Sequence, residues 1–476
     1  LVILLNRSFG FVYNSLNKNY LIFSEHKFAG TAIIMFALLS VFLLITGAGN
    51  IMNLFFPAGA LILGLILYFR SPITYISFNW WLWFLSPLIR RVSDYRSGFT
   101  DPSPILLAPI LVSLIASLSL TKGLFRVSYK YRFPYILILA GIVYGLSVGL
   151  IYRSTNVVLL STAEWLAPVF FGFYLVVHWR KYPQYSQCLQ QTFVWAALVM
   201  GVYGIIQYMT APEWDQFWMI KTQMSSVGNP QPFEIRVWST SYSPRPFGTT
   251  MMSCLIILTT YKSKISIPAT ISGYLSFLLC INRAAWGSWL IAVILLWNSL
   301  KAKYQIRLIG PAIVLIPVVF LVANSEPFSE RIGNRFATFG DLENDGSGQQ
   351  RVATYEQLLN TAMTSVFGQG LGGPSYDSGI LSMLFNFGWF GICFYMGGLI
   401  ALFWLIWSNR YILLEPFLGA SRAIATAVIA QFPLGGTTGS EQGTILWSFL
   451  GITVAGILYY QNQKKKTKAN IIFNNS

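Results

Sequence analysis

Charge is scarce in this chain. Only 10% of the residues are Asp, Glu, Lys or Arg, whereas 55% are hydrophobic and 16% aromatic. Water-soluble domains carry about a quarter charged residues, so most of this surface faces something other than water. Histidine is almost missing, with two residues, and the four cysteines (Cys188, Cys254, Cys280 and Cys393) are isolated in or near apolar runs. With no CxxC pair or Cys/His grouping, neither a zinc site nor a disulfide framework is expected. The opening residues lack a short apolar stretch followed by a small-residue cleavage site, so no removable signal peptide is expected. Internal repeats and low-complexity tracts are also missing, and no long stretch is free of apolar runs.

Those runs dominate the chain. From Ala29 to Tyr460 they recur at lengths of about 17 to 25 residues, each enough to span a hydrocarbon core. Spans are expected near 29–49, 51–69, 74–89, 103–121, 133–151, 156–178, 190–210 and 247–261, then near 265–281, 284–300, 306–323, 379–407, 411–433 and 443–460. The sequence therefore predicts an all-α polytopic integral membrane protein with about 12–14 transmembrane helices, since a barrel would show shorter alternating strands. The expected organisation begins with about seven N-terminal helices over 1–210, a first external loop over 211–246 and central helices over 247–323. A large external loop over 324–378, with a short helix at 350–364, precedes the C-terminal helices over 379–460 and a basic, disordered cytoplasmic tail over 461–476.

Sidedness follows from the basic residues. With the N-terminus cytoplasmic, the inside segments hold 20 of the 32 Lys and Arg, including 13 of the 14 lysines, and 13 of the 16 acidic residues fall outside. That bias obeys the positive-inside rule and places both termini in the cytoplasm. It also accounts for the formal net charge of +16 without a nucleic-acid partner. One loop resists the rule, with Arg90, Arg91 and Arg96 offset in part by Asp94 and Asp101.

Lysine is nearly missing outside, yet arginine is not. Arg236, Arg245, Arg283, Arg331, Arg335 and Arg351 lie on the disfavoured face. A guanidinium offers a planar fork that binds phosphate oxygens bidentately, so a polyanion handled at the outer face would explain the choice. Arg331 and Arg335, beside Glu326 and Glu330, read as ion-pair partners; Arg236, Arg245 and Arg283, near span ends, read as binding residues. Arg283 has only Asn282 as close polar company, and small residues (Ala284, Ala285, Gly287) follow it, leaving room for close packing or a ligand. Glu164 and Glu415 are the acids expected within spans; neither has a partner at a telling spacing. The cluster Gly368-Gln-Gly-Leu-Gly-Gly373 follows a helix and lacks a Lys-Ser/Thr sequel, so it reads as a tight turn rather than a phosphate loop.

Four pieces of this pattern carry a resemblance. They are Arg236-Val-Trp-Ser-Thr-Ser-Tyr-Ser-Pro-Arg245-Pro-Phe-Gly-Thr; Asn282-Arg283-Ala-Ala-Trp; Gln350-Arg351-Val-Ala-Thr-Tyr; and Val366-Phe-Gly-Gln-Gly-Leu-Gly with Phe387-Gly-Trp-Phe-Gly391. In order and sidedness they resemble the O-antigen polymerase and O-antigen ligase superfamily of polytopic GT-C-type glycosyltransferases, over roughly 190–406. The resemblance implies a GT-C-like fold in a bacterial inner membrane. It also implies metal-independent transfer of glycan from a polyprenyl diphosphate at the outer face, with no cofactor. Arg236, Arg245, Arg283 and Arg351 would bind the diphosphate. Ligases of the family carry a His about eleven residues before the first of those span glycines. Asp377 stands there in this chain, which favours a polymerase with Asp377 activating the acceptor, alongside Arg283 and Arg351 as catalytic groups. Implied partners are the polyprenyl-diphosphate-linked oligosaccharide and membrane lipids, with a chain-length regulator and a flippase as candidate protein partners. The alternatives are a ligase acting on a lipid or protein acceptor, and a transporter of polysaccharide or solute.

Overall fold

The computed structural model describes residues 20–297, 305, 346–374, 376, 378–436 and 438–474. The expected span at 306–323, together with Arg331, Arg335 and Asp377, lies outside them. In chain order the helices are α1 (Tyr20–Ile45), α2 (Gly49–Arg70), α3 (Pro72–Ser97), α4 (Leu107–Leu114), α5 (Leu120–Arg126), α6 (Tyr129–Tyr152), α7 (Thr155–Val177) and α8 (Tyr182–Thr210). They continue with α9 (Glu213–Thr222), α10 (Pro244–Thr260), α11 (Ser266–Leu279), α12 (Arg283–Trp297), α13 (Gly346–Thr364), α14 (Gly379–Trp407), α15 (Pro416–Ile429) and α16 (Ser440–Asn474). No strand occurs among the described residues, and eight of the helices there are long and apolar enough to cross a membrane. The protein is all-α and polytopic. Every other expected span falls on a described helix, although those at 103–121, 265–281 and 284–300 are realised as the shorter apolar segments Pro104–Ser119, Ser266–Leu279 and Arg283–Trp297.

The chain forms two compact units, each assembled from an early and a late segment. The first is Leu1–Ala116 with Pro183–Asn282, the second Ser117–Tyr182 with Arg283–Ser476. They cut across the sequential order of helices and loops.

In the first unit α3 is enclosed, with every residue from Thr74 to Pro87 buried. Trp80 packs edge-on to Phe193 of α8 at 4.8 Å between centroids, and Phe84 to the same ring at 5.5 Å. Polar side chains in this interior find partners across helices. Ser77 Oγ meets Thr192 Oγ1 at 2.9 Å, the Tyr75 hydroxyl donates to the Val112 carbonyl at 2.8 Å, and Trp83 Nε1 donates to Ser113 Oγ at 3.1 Å. Each such bond replaces one that hydrocarbon cannot supply.

The second unit packs by backbone approach. A Cβ added at Gly172 of α7 would sit 2.4 Å from the Trp447 carbonyl of α16, and one at Gly451 of α16 2.2 Å from the Gly172 carbonyl. On the α6–α14 pair, a Cβ at Gly398 would sit 2.5 Å from the Pro134 carbonyl. Small residues let helices approach this closely where no hydrophobic effect separates helix from lipid.

Two expectations change on contact with the structure. Glu415 is not inside a span; it precedes Pro416, which opens α15, and accepts from the hydroxyls of Tyr182 at 2.6 Å and Tyr460 at 3.0 Å. An acid at a helix N-terminus meets a favourable dipole. Arg422, which does lie in a helix, places its guanidinium 4.3 Å from the centroid of the Trp407 ring. The basic tail is helical to Asn474 as a continuation of α16, because Gln, Lys and Ala are good helix formers.

Replacing Gly172 with Val would force two backbones apart, so a loss of about 1–3 kcal/mol is expected. Gly397→Ala is the control, since nothing lies within 4 Å of its added Cβ. Thermal unfolding of the detergent-purified protein should separate the two variants; equal midpoints would contradict the close-packing account.

Candidate functional site

The segment between α8 and α10 is the first of the expected external loops. It starts with Ala211 in the left-handed region (φ 43°) and builds the short helix α9. Asp215 on α9 is fully buried, as is Arg91 on α3. Arg91 Nε lies 3.1 Å from Asp215 Oδ1 without a well-directed hydrogen bond between them. The other Asp215 oxygen, Oδ2, accepts from the Tyr203 hydroxyl at 2.8 Å and from Gln207 Nε2 at 2.9 Å. Burial pushes the Asp215 carboxyl upward from its ordinary value, and Arg91, Gln207 and Tyr203 pull against that.

Arg91 and Gln207 also hold the far end of the loop. Arg91 donates through Nη1 to the Ser241 carbonyl at 3.3 Å and through Nη2 to that of Ser239. Its guanidinium also lies 5.5 Å from the Trp238 ring centroid. Gln207 Oε1 accepts from the backbone N–H groups of Trp238 and Ser239, at 3.1 and 2.8 Å. Ser239 is left-handed (φ 51°) and anchors its own Oγ on the Met200 carbonyl at 2.6 Å. A strained residue persists where its surroundings over-determine it; here both N–H and C=O of Ser239 are held by buried side chains.

The awkward arginines of the sequence thus find places. Arg90 and Arg91 are not in a loop: α3 continues through both to Ser97. Arg90 pairs with Asp94 and Asp101, each at 3.2 Å, as the offsetting acids suggested. The Arg91–Asp215 pair was illegible, because nothing at a separation of more than a hundred residues marks the two as partners.

Arg236 follows this network and turns inward. Nη1 donates to the Ser226 carbonyl at 2.8 Å, Nη2 to that of Ile281 at 2.9 Å, and Nε to that of Cys280 at 3.4 Å. The acceptors at 280 and 281 are the carbonyls that end α11. Ile281 itself is left-handed (φ 47°), an outlier for a β-branched residue. The next residue, Asn282, donates from Nδ2 to the Pro244 carbonyl at 3.3 Å. Arg245 and Arg283 directly follow the two partners of that bond in the chain. Arg245 lies in the first turn of α10, and Arg283 is the first residue of α12; both are half-buried.

In the second unit α13 docks on α14. Ala362, Leu381, Leu384 and Phe385 form the buried centre, with Tyr355, Leu358, Tyr376 and Ile392 packed around it. The Tyr355 hydroxyl bonds Ser378 Oγ and donates to the Pro433 carbonyl at 2.9 Å. Arg351 lies in α13 four residues before Tyr355, and Ser378 caps α14 by accepting from the Leu381 N–H at 3.4 Å.

The fourth motif closes on itself. Gly368 and Gly388 are both left-handed, and a Cβ on either would lie 2.2–2.4 Å from the other's backbone nitrogen. The turn carrying Gly368 therefore lies directly on the break that Gly388 makes within α14. The two halves of the motif, about twenty residues apart in sequence, are one backbone contact.

Compared with models of known protein families and with curated protein sequences, the chain matches none.

Removing one member of the Arg91–Asp215 pair strands a buried charge, at a cost of about 3–5 kcal/mol. Arg91→Met and Asp215→Asn should each lower the unfolding midpoint and open segment 211–246 to protease. The double variant should lose less than the sum of the two, with a coupling of about 2 kcal/mol. Additive losses would show that the pair is not a unit.

Proposed function

We propose that this protein is a membrane glycosyltransferase. It polymerises polyprenyl-diphosphate-linked oligosaccharide repeat units into an O-antigen-like or exopolysaccharide chain at the outer face of a bacterial inner membrane. The observation that carries the reading is the strained backbone that delivers Arg283. Ile281 adopts φ 47° and is held there by Arg236, and Asn282 is tied to Pro244. Such outliers concentrate where function requires a fixed geometry. Here the outlier stands two residues before the arginine with the least polar company in the sequence, inside a motif that resembles the transferase superfamily.

The chemistry asks for what such arginines supply. An acceptor hydroxyl attacks the anomeric carbon, a new C–O bond forms, the bond to the diphosphate breaks, and the configuration inverts. The hydroxyl proton passes to a carboxylate, assigned to Asp377. The departing diphosphate gains negative charge, and fixed guanidinium donors in a site poor in water stabilise it. In this reading Arg245, Arg283 and Arg351 bind the leaving group. Arg236, whose fork is occupied by backbone carbonyls, positions the segment leading to Arg283.

Arg283→Ala and Arg351→Ala should each reduce product in a host making the lipid-linked repeat to single repeats, with unchanged protein in the membrane. Wild-type chain lengths in both variants would reject the assignment. Full-length polymer left unattached to its acceptor would identify a ligase instead.

A further inference from the structure

One end of the second unit gathers basic side chains among exposed apolar ones. Here α5 packs, α6 starts, α7 ends and α16 runs on past its apolar part, and printed contacts tie these pieces together. A Cβ on Gly123 of α5 would sit 2.4 Å from Cγ2 of Val177, the last residue of α7. Arg132 on α6 donates to the Leu124 carbonyl of α5, and the Tyr131 hydroxyl donates to Gln461 Oε1 of α16 at 3.1 Å. Tyr182, just after the turn Trp179–Lys181, joins Tyr460 of α16 on the carboxylate of Glu415. His178 caps α7. Burial lowers the affinity of its imidazole for a proton against the pull of the Tyr174 carbonyl, and the charges of Lys181 and Arg126 lower it further.

Two features of this end point to a partner that is both charged and apolar. Arg126, Arg180, Lys181 and the run Lys464–Lys466 are exposed, and among the described residues no carboxylate lies within ion-pairing distance of any of them. The acid beside them, Glu415, is engaged by two tyrosine hydroxyls. Between these cations stand Phe125, 85% exposed, with Tyr129 and Leu414 each at 60%. Aromatic rings also lie directly under cations: Arg132 is 5.7 Å from the Tyr129 centroid, Arg180 5.3 Å from that of Trp179 and Lys464 6.0 Å from that of Tyr411. The positive-inside rule accounts for basic residues on one side of a membrane, but it asks for no exposed apolar side chains among them. A soluble polyanion would meet the charges and leave Phe125 and Leu414 in water. A bilayer interface takes both, with apolar side chains among the upper parts of the lipid tails and cations at the phosphates.

We infer that this end of the second unit is a binding surface for anionic phospholipid headgroups. Phe125 and Leu414 anchor it, the rings of Tyr129 and Trp179 lie at headgroup level, and the six exposed cations meet the phosphates. A cluster of four to eight Lys and Arg beside a spanning helix attracts anionic lipid by about fivefold per residue. The inference does not depend on the transferase reading, because such a surface serves any activity carried by the unit.

The test uses the full chain purified in uncharged detergent and titrated with phosphatidylglycerol or phosphatidylcholine while thermal unfolding is followed. Phosphatidylglycerol should raise the midpoint beyond the phosphatidylcholine effect, and raising salt to about 0.5 M should weaken that gain. The double variant Lys464→Gln/Lys465→Gln should lose about tenfold or more in apparent phosphatidylglycerol affinity. Lys262→Gln/Lys264→Gln is the matched control: it removes two exposed lysines of the first unit that are expected on the same side of the membrane, and it should lose much less. Phe125→Ser should weaken phosphatidylglycerol severalfold while leaving any effect of inorganic tripolyphosphate unchanged. If Lys464→Gln/Lys465→Gln does not fold, Arg180→Gln/Lys181→Gln reads the same surface. Equal stabilisation of wild type by the two lipids, equal losses in the two lysine pairs, or tripolyphosphate as effective as phosphatidylglycerol would each overturn the inference; the last would identify a site for a soluble polyanion.

Discussion

A polar group inside a bilayer has no water to fall back on. That constraint orders this molecule more than any single contact. It makes the chain helical, so that backbone groups are satisfied within each segment. It also favours fixed acceptors for buried side-chain donors. Ser77 with Thr192, Tyr75 with the Val112 carbonyl and Glu415 with Tyr182 and Tyr460 are local answers. The Arg91–Asp215 network is the largest, because it closes both ends of the segment between α8 and α10 on one buried pair of charges. A buried pair of this kind is weak evidence for stability, since desolvation offsets much of the attraction. Its effect here is on geometry: the backbone at Ser239 has one place to go.

The architecture was legible because hydrophobic length is a one-dimensional signal. A run of apolar residues needs no partner to declare itself, so the helices lie where the sequence puts them. Where sequence and structure differ, the environment decides. Charge disfavoured in lipid argues for ending α3 before Arg90, yet protein encloses Arg90, Arg91 and Asp94, and both arginines are paired. The apolar residues around Glu415 suggest a span, although α15 begins only at Pro416. The charge of the tail argues for disorder, and helix propensity carries α16 through it to Asn474 instead. In each case a local rule met a neighbour that the sequence does not name.

The candidate site was legible in its residue types and not in its connections. The glycine cluster was readable as a tight turn from composition alone, since left-handed conformations favour glycine. That Gly388 lies against Gly368 was not readable, because backbone contacts between distant glycines leave no side-chain pattern. Asn282-Arg283 stood out for its isolation, but the strain at Ile281 that precedes it has no sequence signature; Ile is among the residues least suited to φ above zero. Arg153 has nothing in the sequence around it that names its neighbours. Its neighbours Gln369 and Asn386 lie more than two hundred positions downstream.

The preference for arginine over lysine now has two explanations that can be weighed residue by residue. Phosphate recognition is one. The other is that a planar fork with several donors satisfies several fixed acceptors at once, which an ammonium on a flexible stem does poorly. Arg91 uses its fork on a carboxylate and two carbonyls, Arg90 on two carboxylates and the Thr100 carbonyl, and Arg236 on three carbonyls. For these residues the lipid environment is reason enough, and no anionic substrate need be invoked. The arginines of the expected outer face therefore fall into two sets, those whose forks hold carbonyls or carboxylates within the protein and those that the transferase reading assigns to the diphosphate. The transferase reading stands or falls on the second: it gains nothing from Arg90, Arg91 or Arg236 as charges, and gains from them only the rigidity with which the neighbouring segments are presented.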